Sequence, residues 1–126
     1  MDSETTRKTA LAYFQAIGQV DADAFAGLFS ADAHFEDPVG TPVLIGREGV
    51  TKFYGRLKRA WASLKMSPQD VFVRGSEAAV RWAATGQSAT GKDIAFGGIN
   101  VFSVDDDGQI TRAAGYWDME DVIKQM

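Results

Sequence analysis

At 126 residues, 45% of them hydrophobic, the chain is long enough to bury the core of one domain, and we expect a single domain over residues 1–126. The net charge of −4 argues against nucleic acid as a partner, because phosphate binding needs clustered lysine and arginine, and the lack of cysteine excludes disulfides and thiol chemistry. The N-terminus is polar and acidic, unlike a signal peptide, and no apolar stretch approaches the ~18 residues that a membrane span needs, so we expect a cytoplasmic protein without a membrane partner.

Three helices and one short strand are predicted in the first half of the chain. Ser3 is typical of an N-cap for a helix over residues 4–19, whose apolar stripe is Ala10, Leu11, Phe14 and Ile17. Asp21 predicts the cap of a second, short helix, which carries Phe25, Leu28 and Phe29. Residues 33–37 predict a strand, ended by Pro38. A third helix is predicted over residues 47–60, with helical spacing at Val50, Phe53, Tyr54, Leu57 and Trp61.

The second half is rich in strands. They are predicted over residues 64–74, 78–88, 93–105 and 109–118, with turn signals between them, and a short segment over residues 119–125 closes the chain. Helices followed by an antiparallel meander indicate an α+β fold. We therefore expect a curved antiparallel sheet wrapped around the long N-terminal helix, with a ligand pocket between the helices and the sheet.

The strand over residues 93–105 is apolar on both of its faces, with Phe96, Asn100 and Phe102 on one and Ile99 and Val101 on the other. One layer of helices covers only one face of a sheet. The second apolar face therefore predicts a homodimer formed through the outer face of the sheet. On the helix-facing side, small residues are expected to leave volume for a ligand; they are Gly98, Ala113 and Gly115.

Two sequence motifs that resemble ligand loops are better explained as turns. Residues 86–93 approach a phosphate-binding loop, but Asp93 stands where that loop needs a serine or threonine, and the segment joins two strands. Residues 105–108 match an Asp-Gly hairpin turn better than a calcium loop. His34 is the only histidine, which excludes a multi-histidine metal site. We expect no metal and no cofactor.

Three polar side chains on apolar elements are the candidate catalytic residues. Asp37 shares a strand face with Phe35 and therefore points inward, unless it only serves the turn before Pro38. Tyr13 lies at the edge of the first helix's apolar stripe, where it is either a site residue or a core tyrosine. Asn100, the only asparagine, lies in an apolar strand and either bonds a neighbouring backbone group or serves the site. A carboxylate base, a phenol and an amide are the groups needed to move a proton beside a carbonyl.

Aromatic side chains are the candidate walls of the substrate pocket. Trp117 is predicted to face the pocket from the last strand, where its indole N–H can donate to a carboxylate, although core packing explains it equally well. The other predicted substrate-binding side chains are Tyr54, Phe29, Phe102 and Phe53.

Three motifs in the first half occur together with Tyr13. They are Phe35-Glu36-Asp37-Pro38-Val39-Gly40, then Gly46-Arg47-Glu48, then Phe53-Tyr54. With them the chain resembles ketosteroid isomerases, within the superfamily of SnoaL-like polyketide cyclases and nuclear-transport-factor-two-like proteins. The resemblance implies that Asp37 is the general base, that Tyr13 is the oxyanion-hole tyrosine and that Trp117 is a pocket wall. The chain departs from the family at Asn100, where the isomerases carry a second oxyanion-hole carboxylic acid.

The resemblance implies a cofactor-independent isomerase that moves a double bond in a small hydrophobic, steroid-like ketone through a dienolate. Asp37 would carry the proton, while Tyr13 and Asn100 would hold the oxygen. An amide is a weaker donor than a carboxylic acid, so we expect Asn100 to stabilise the dienolate less than the family's acid does. Two alternatives remain: a polyketide cyclase or epoxide hydrolase of the same superfamily, and a dimeric module that binds a hydrophobic ligand without turnover.

Overall fold

The computed structural model describes residues 2–126, which form four helices and six strands. In chain order the elements are α1 (Ser3–Ile17), α2 (Ala22–Ala26), β1 (Phe29–Glu36), β2 (Leu44–Ile45), α3 (Gly46–Ala60), β3 (Trp61–Arg74), β4 (Glu77–Ser88), β5 (Asp93–Val104), β6 (Ile110–Tyr116) and α4 (Met119–Gln125). The α+β class is confirmed. No helix within residues 2–126 combines the length and the apolar character needed to cross a membrane.

All six strands join one curved, open sheet in the order β2-β1-β6-β5-β4-β3. The strands β3 to β6 form the predicted antiparallel meander. One pairing in the sheet is parallel: β1 pairs with β6, with Phe35 opposite Ala113. Because parallel strands end at the same edge, this pairing brings the residue after β1, Asp37, beside Gly115 near the end of β6.

Several predicted boundaries differ from the observed ones. Asp2, rather than Ser3, caps α1, since its Oδ1 accepts from the backbone N–H of Glu4 at 3.0 Å. Phe29 begins β1 instead of belonging to the second helix, and β3 begins at Trp61 instead of at residue 64. Both aromatic residues begin a strand close behind a helix. The helical spacing of apolar residues does not show where the helix ends unless a glycine or proline stands at that position.

The core lies between the inner face of the sheet and the helices. Helix α1 packs against β3, β4 and β5, while α3 packs against β1 and α2. On β5, Asn100 and Phe102 are buried under the helices, whereas Ile99 is exposed on the opposite face. The outer face thus stays open to solvent, with apolar side chains on three strands: Phe72 is 69% exposed, Ile99 44% and Tyr116 48%.

Candidate functional site

Asp37 follows β1 directly and is held in place by the loop after it. The Asp37–Pro38 peptide bond is cis, and the backbone N–H of Val39 donates to the carbonyl of Gly115 at 2.8 Å. The carboxyl group of Asp37 lies over Gly115 so closely that a Cβ atom at position 115 would collide with Oδ1. A glycine at this position of β6 is therefore a condition for placing the Asp37 side chain.

The environment of Asp37 suits a general base that works near neutral pH. Burial raises the pKa of Asp37 to about 6, and the hydrogen bond from Trp117 and the nearby hydroxyl of Tyr13 partly oppose this rise. The indole Nε1 of Trp117 donates to Asp37 Oδ1 at 2.6 Å. A carboxyl group with this pKa is largely ionised at pH 7, yet it is a stronger base than an exposed aspartate.

Tyr13 projects from α1 into the aromatic core. Its ring lies 5.2 Å from that of Phe14 and 5.1 Å from that of Phe102, both edge-on. Burial, followed by the negative charge of Asp37, raises the pKa of Tyr13 well above its usual value, whereas the amide of Asn100 acts in the opposite direction. The phenol therefore keeps its proton and remains a hydrogen-bond donor at any physiological pH.

Asn100 is buried on the inner face of β5, where it is 1% exposed. Its Oδ1 accepts a hydrogen bond from Trp82 Nε1 at 2.9 Å. Its Nδ2 is buried and has no hydrogen-bond partner within residues 2–126. An unsatisfied buried donor costs about 1–3 kcal/mol, so this amide is a structural anomaly that a ligand oxygen would relieve.

Gly115 is the point at which the candidate groups meet. A Cβ atom there would lie 3.2 Å from Asn100 Oδ1 in addition to its collision with Asp37. Both Asp37 and Asn100 act on the pKa of Tyr13. The three predicted catalytic side chains therefore converge at one place in the fold, and a strongly apolar neighbourhood surrounds them.

A small cavity of about 60 Å³ opens beside this cluster. Its walls include Tyr13, Asp37, Phe53, Trp82, Phe96 and Trp117. Asn100 is not on the cavity wall, although Trp82 and Tyr13, which flank its amide, both are. Of the predicted substrate-binding residues, Phe53 and Trp117 line the cavity.

The other three predicted substrate-binding residues do not line the cavity. Tyr54 donates from its hydroxyl to the carbonyl of Ala16 at 2.9 Å, which ties α3 to α1. Phe29 and Phe102 pack around the ring of Tyr13, with no more than 2% of their surface exposed. They lie in the core behind the cavity wall, and aromatic character alone does not separate a wall from the core behind it.

The volumes expected above Gly98 and Gly115 are occupied by the protein's own side chains. A Cβ at position 98 would lie 2.7 Å from the ring of Trp82 and 3.0 Å from the Cβ of Trp117. The carboxyl of Asp37 fills the corresponding space at Gly115. These glycines therefore position site residues instead of leaving room for a ligand.

Trp82 is the site residue that the sequence reasoning missed. A signal for it exists in β4, where Ala78, Val80, Trp82 and Ala84 alternate with solvent-facing residues. That alternation places Trp82 on the inner face. It does not show that the indole lies against Asn100 of the next strand.

A larger open cleft of about 740 Å³ adjoins the small cavity. The two share Leu57, Trp61 and Leu64 as walls, and Lys58 also lines the cleft. The ammonium of Lys58 donates to the carbonyl of Ile17 at 2.7 Å. No group of three or more histidine, cysteine or acidic side chains within residues 2–126 is arranged to hold a metal ion.

Comparison with known proteins identifies the family to which the chain belongs. Residues 10–113 match the SnoaL-like domain family. The chain is 34% identical over 119 residues to a steroid Delta-isomerase of Nocardioides simplex, across 92% of this chain and 93% of that protein.

Solved structures share the fold. SalBIII, an epoxide hydrolase/cyclase-like enzyme in pyran ring formation in the polyether salinomycin, superposes with a TM-score of 0.84, at 24% identity and 95% coverage of both chains. A protein of Catenulispora acidiphila with a ketosteroid isomerase-like fold also reaches 0.84, at 17% identity, with 94% of this chain and 91% of that one covered. The chain thus belongs to the SnoaL-like family and is a ketosteroid isomerase-like protein of the nuclear-transport-factor-two-like superfamily.

Proposed function

We propose that this protein is an isomerase that moves a carbon–carbon double bond in a hydrophobic ketone, of the steroid type, without a cofactor. The observation that carries the proposal is the meeting of a half-buried carboxylate, a phenol that keeps its proton and an amide with an unused N–H. The 34% identity to a steroid Delta-isomerase supports the same reaction.

The proposed reaction gives each of the three groups a distinct role. Asp37 removes a proton from the carbon between the carbonyl and the double bond, and negative charge develops on the carbonyl oxygen. The hydroxyl of Tyr13 donates to this oxygen, and Asn100 Nδ2 is the second donor beside it. Asp37 then returns the proton to the far end of the former double bond, which yields the conjugated ketone and restores the carboxylate.

The apolar walls strengthen this chemistry. Charge interactions are stronger where water is excluded, so Phe53, Phe96 and Trp117 increase the effect of the two donors on the developing oxyanion. The hydrogen bond from Trp117 also keeps the Asp37 carboxylate in one orientation.

The volumes of the cavity and the cleft determine how the proposed substrate would bind. A cavity of about 60 Å³ is far below the ~300–1,000 Å³ of pockets that enclose whole ligands. The reacting ring therefore occupies the inner cavity after small side-chain movements. The rest of the molecule lies in the outer cleft against Leu57, Trp61 and Leu64.

A steady-state assay with a 3-oxo-Δ5-steroid, followed by ultraviolet absorbance of the conjugated product, tests the proposal. The wild-type protein is expected to isomerise it, and Asp37→Asn to lose nearly all turnover. Asp32→Asn, a solvent-exposed change on the preceding strand, is the matched control and keeps full activity. Normal turnover by Asp37→Asn would refute the mechanism.

Epoxide hydrolysis or polyketide cyclisation is the second candidate reaction, because SalBIII shares the fold. An acid–base pair is the usual requirement for such reactions, and among residues 2–126 only Asp37 brings a carboxyl group to the inner cavity. Asp93 lies in the outer cleft instead. Mass spectrometry after incubation with epoxides and polyketides distinguishes these reactions from isomerisation, while tight ligand binding without any turnover would point to the non-enzymatic module.

The exposed outer face of the sheet supports a homodimer. Phe72, Ile99 and Tyr116 are apolar and exposed there, and the charges of Asp70 and Arg81 already neutralise each other at 2.6 Å. Sedimentation is expected to show a dimer that Phe72→Asp dissociates. Val20→Asp, which changes an even more exposed residue outside the sheet, should leave the dimer intact. A monomeric wild-type protein would refute this proposal.

A further inference from the structure

We propose that Trp82 is a positioning residue, which holds the side-chain amide of Asn100 in the one orientation that presents its N–H groups to the site. The inference rests on the proposed function for its catalytic consequence. The orientation itself can be measured without any reaction.

The argument starts from the chemistry of the two side chains. An indole N–H is a donor only, so it can pair with the oxygen of an amide and never with its nitrogen. The 2.9 Å contact from Trp82 Nε1 therefore requires Oδ1 of Asn100 to face the indole. If the amide turned by 180°, its N–H groups would face the indole N–H, and two donors would meet inside the core. The buried Nδ2 is consequently left on the other side, with no partner within residues 2–126.

The environment of Tyr13 depends on that orientation. The amide of Asn100 lowers the pKa of Tyr13, which is the direction expected when N–H groups rather than the amide oxygen face the phenol. An oxygen in that place would repel an oxyanion. The orientation of Asn100 therefore decides whether this side chain helps or opposes the reaction.

Trp82 is itself fixed by packing. Its side chain is 2% exposed, and its ring lies edge-on against that of Phe96, with the centroids 5.4 Å apart. The ring also fills the space above Gly98, the residue directly opposite on β5. A tryptophan held on these sides can keep a steady hydrogen bond to Asn100.

This arrangement gives a physical reason for an amide at position 100. A carboxylic acid there would accept the same hydrogen bond from Trp82, and such a bond favours the ionised form of an acid. An ionised acid cannot donate to an oxyanion. An amide does not titrate, so with Trp82 in place its donor is present at every pH.

A double-mutant cycle measures the coupling between the two residues. Trp82→Phe removes the N–H and keeps an aromatic ring; we expect it to lower kcat by about 3- to 10-fold with little change in KM. In the Asn100→Ala background the same change should lower kcat by less than about 2-fold, because no amide remains to be oriented. Equal losses in both backgrounds would mean that Trp82 acts only by packing, and would overturn the proposal.

Nuclear magnetic resonance provides the readout that needs no turnover. Asn100 is the only asparagine, so selective ¹⁵N-asparagine labelling gives one side-chain amide signal. A phenolic steroid should shift that signal strongly in the wild-type protein and weakly in Trp82→Phe. Identical shifts in both proteins would overturn the proposal. An inactive wild-type protein that still shows the difference would refute the proposed reaction and leave the role of Trp82 standing.

The variant Asn100→Asp keeps Trp82, and it tests the proposal if Trp82→Phe does not fold. We expect its activity to fall as pH rises, because Trp82 favours the carboxylate that replaces the donor. The wild-type protein should show no such fall over the same range. A flat profile for Asn100→Asp would contradict the proposed effect of the indole.

Discussion

Replacing Asp37 by asparagine should increase stability at neutral pH while it abolishes turnover. The carboxyl has its pKa raised from 3.8 to about 6, so the folded protein holds a proton that the unfolded chain releases. The Asp37 carboxyl therefore leaves the free energy of unfolding undiminished below about pH 4. It lowers that free energy as the pH rises through about 6, and the free energy stays lower above that pH. At roughly 1.4 kcal/mol per pKa unit, the penalty at pH 8 is at most about 3 kcal/mol.

Asparagine removes that penalty and keeps an oxygen that can accept from Trp117. Urea unfolding of the wild-type protein and Asp37→Asn at pH 4 and pH 8 is the assay. We expect nearly equal free energies of unfolding at pH 4 and an advantage of up to about 3 kcal/mol for the variant at pH 8. Other carboxyl groups titrate in both proteins and cancel in the difference. An advantage that is the same at both pH values would refute the assignment of a raised pKa to Asp37.

The remaining predictions concern the reaction itself. The value of kcat/KM should rise as the pH passes about 6, which is the pKa of Asp37. It should then stay constant up to the usual tyrosine pKa of 10.0, because Tyr13 titrates above that value. A fall near pH 8 would contradict this expectation. Trp117→Phe removes a hydrogen bond that lowers the pKa of Asp37, so the rising limb should move to higher pH, while an unmoved limb would argue against that bond. Gly115→Ala should cost about 10²-fold in kcat by displacing the carboxylate. At Gly55 the nearest side chain within residues 2–126 to an added Cβ is that of Arg59, at 3.5 Å, so Gly55→Ala should cost almost nothing.

The inward direction of Asp37 could be predicted because it follows from one local pattern. Phe35 must be buried, and side chains two apart on a strand share a face. Asn100 stood out for a similar reason, as a lone amide in an apolar strand. Both predictions depend only on neighbours in the sequence, and the structure places both residues at the candidate site.

The contacts that build the site depend on strand register, which one sequence does not reveal. Trp82 meets Asn100 only because β4 and β5 pair with Trp82 opposite Gly98. Asp37 reaches Gly115 only because β1 joins β6 in parallel. A small residue in a strand was predicted to leave room for a ligand. The register shows that Gly98 and Gly115 instead leave room for other side chains of the protein.

The central claim is that Tyr13 and Asn100 donate to one ligand oxygen beside the Asp37 carboxylate, and the ionisation of a bound phenolic steroid tests it most directly. Its fluorescence reports the fraction bound as phenolate. That fraction should rise in Asp37→Asn, because a neutral side chain no longer repels the anion, and should fall in Tyr13→Phe and Asn100→Ala, which remove the donors. A phenolate fraction that none of the three substitutions changes would show that the ligand oxygen does not meet these groups.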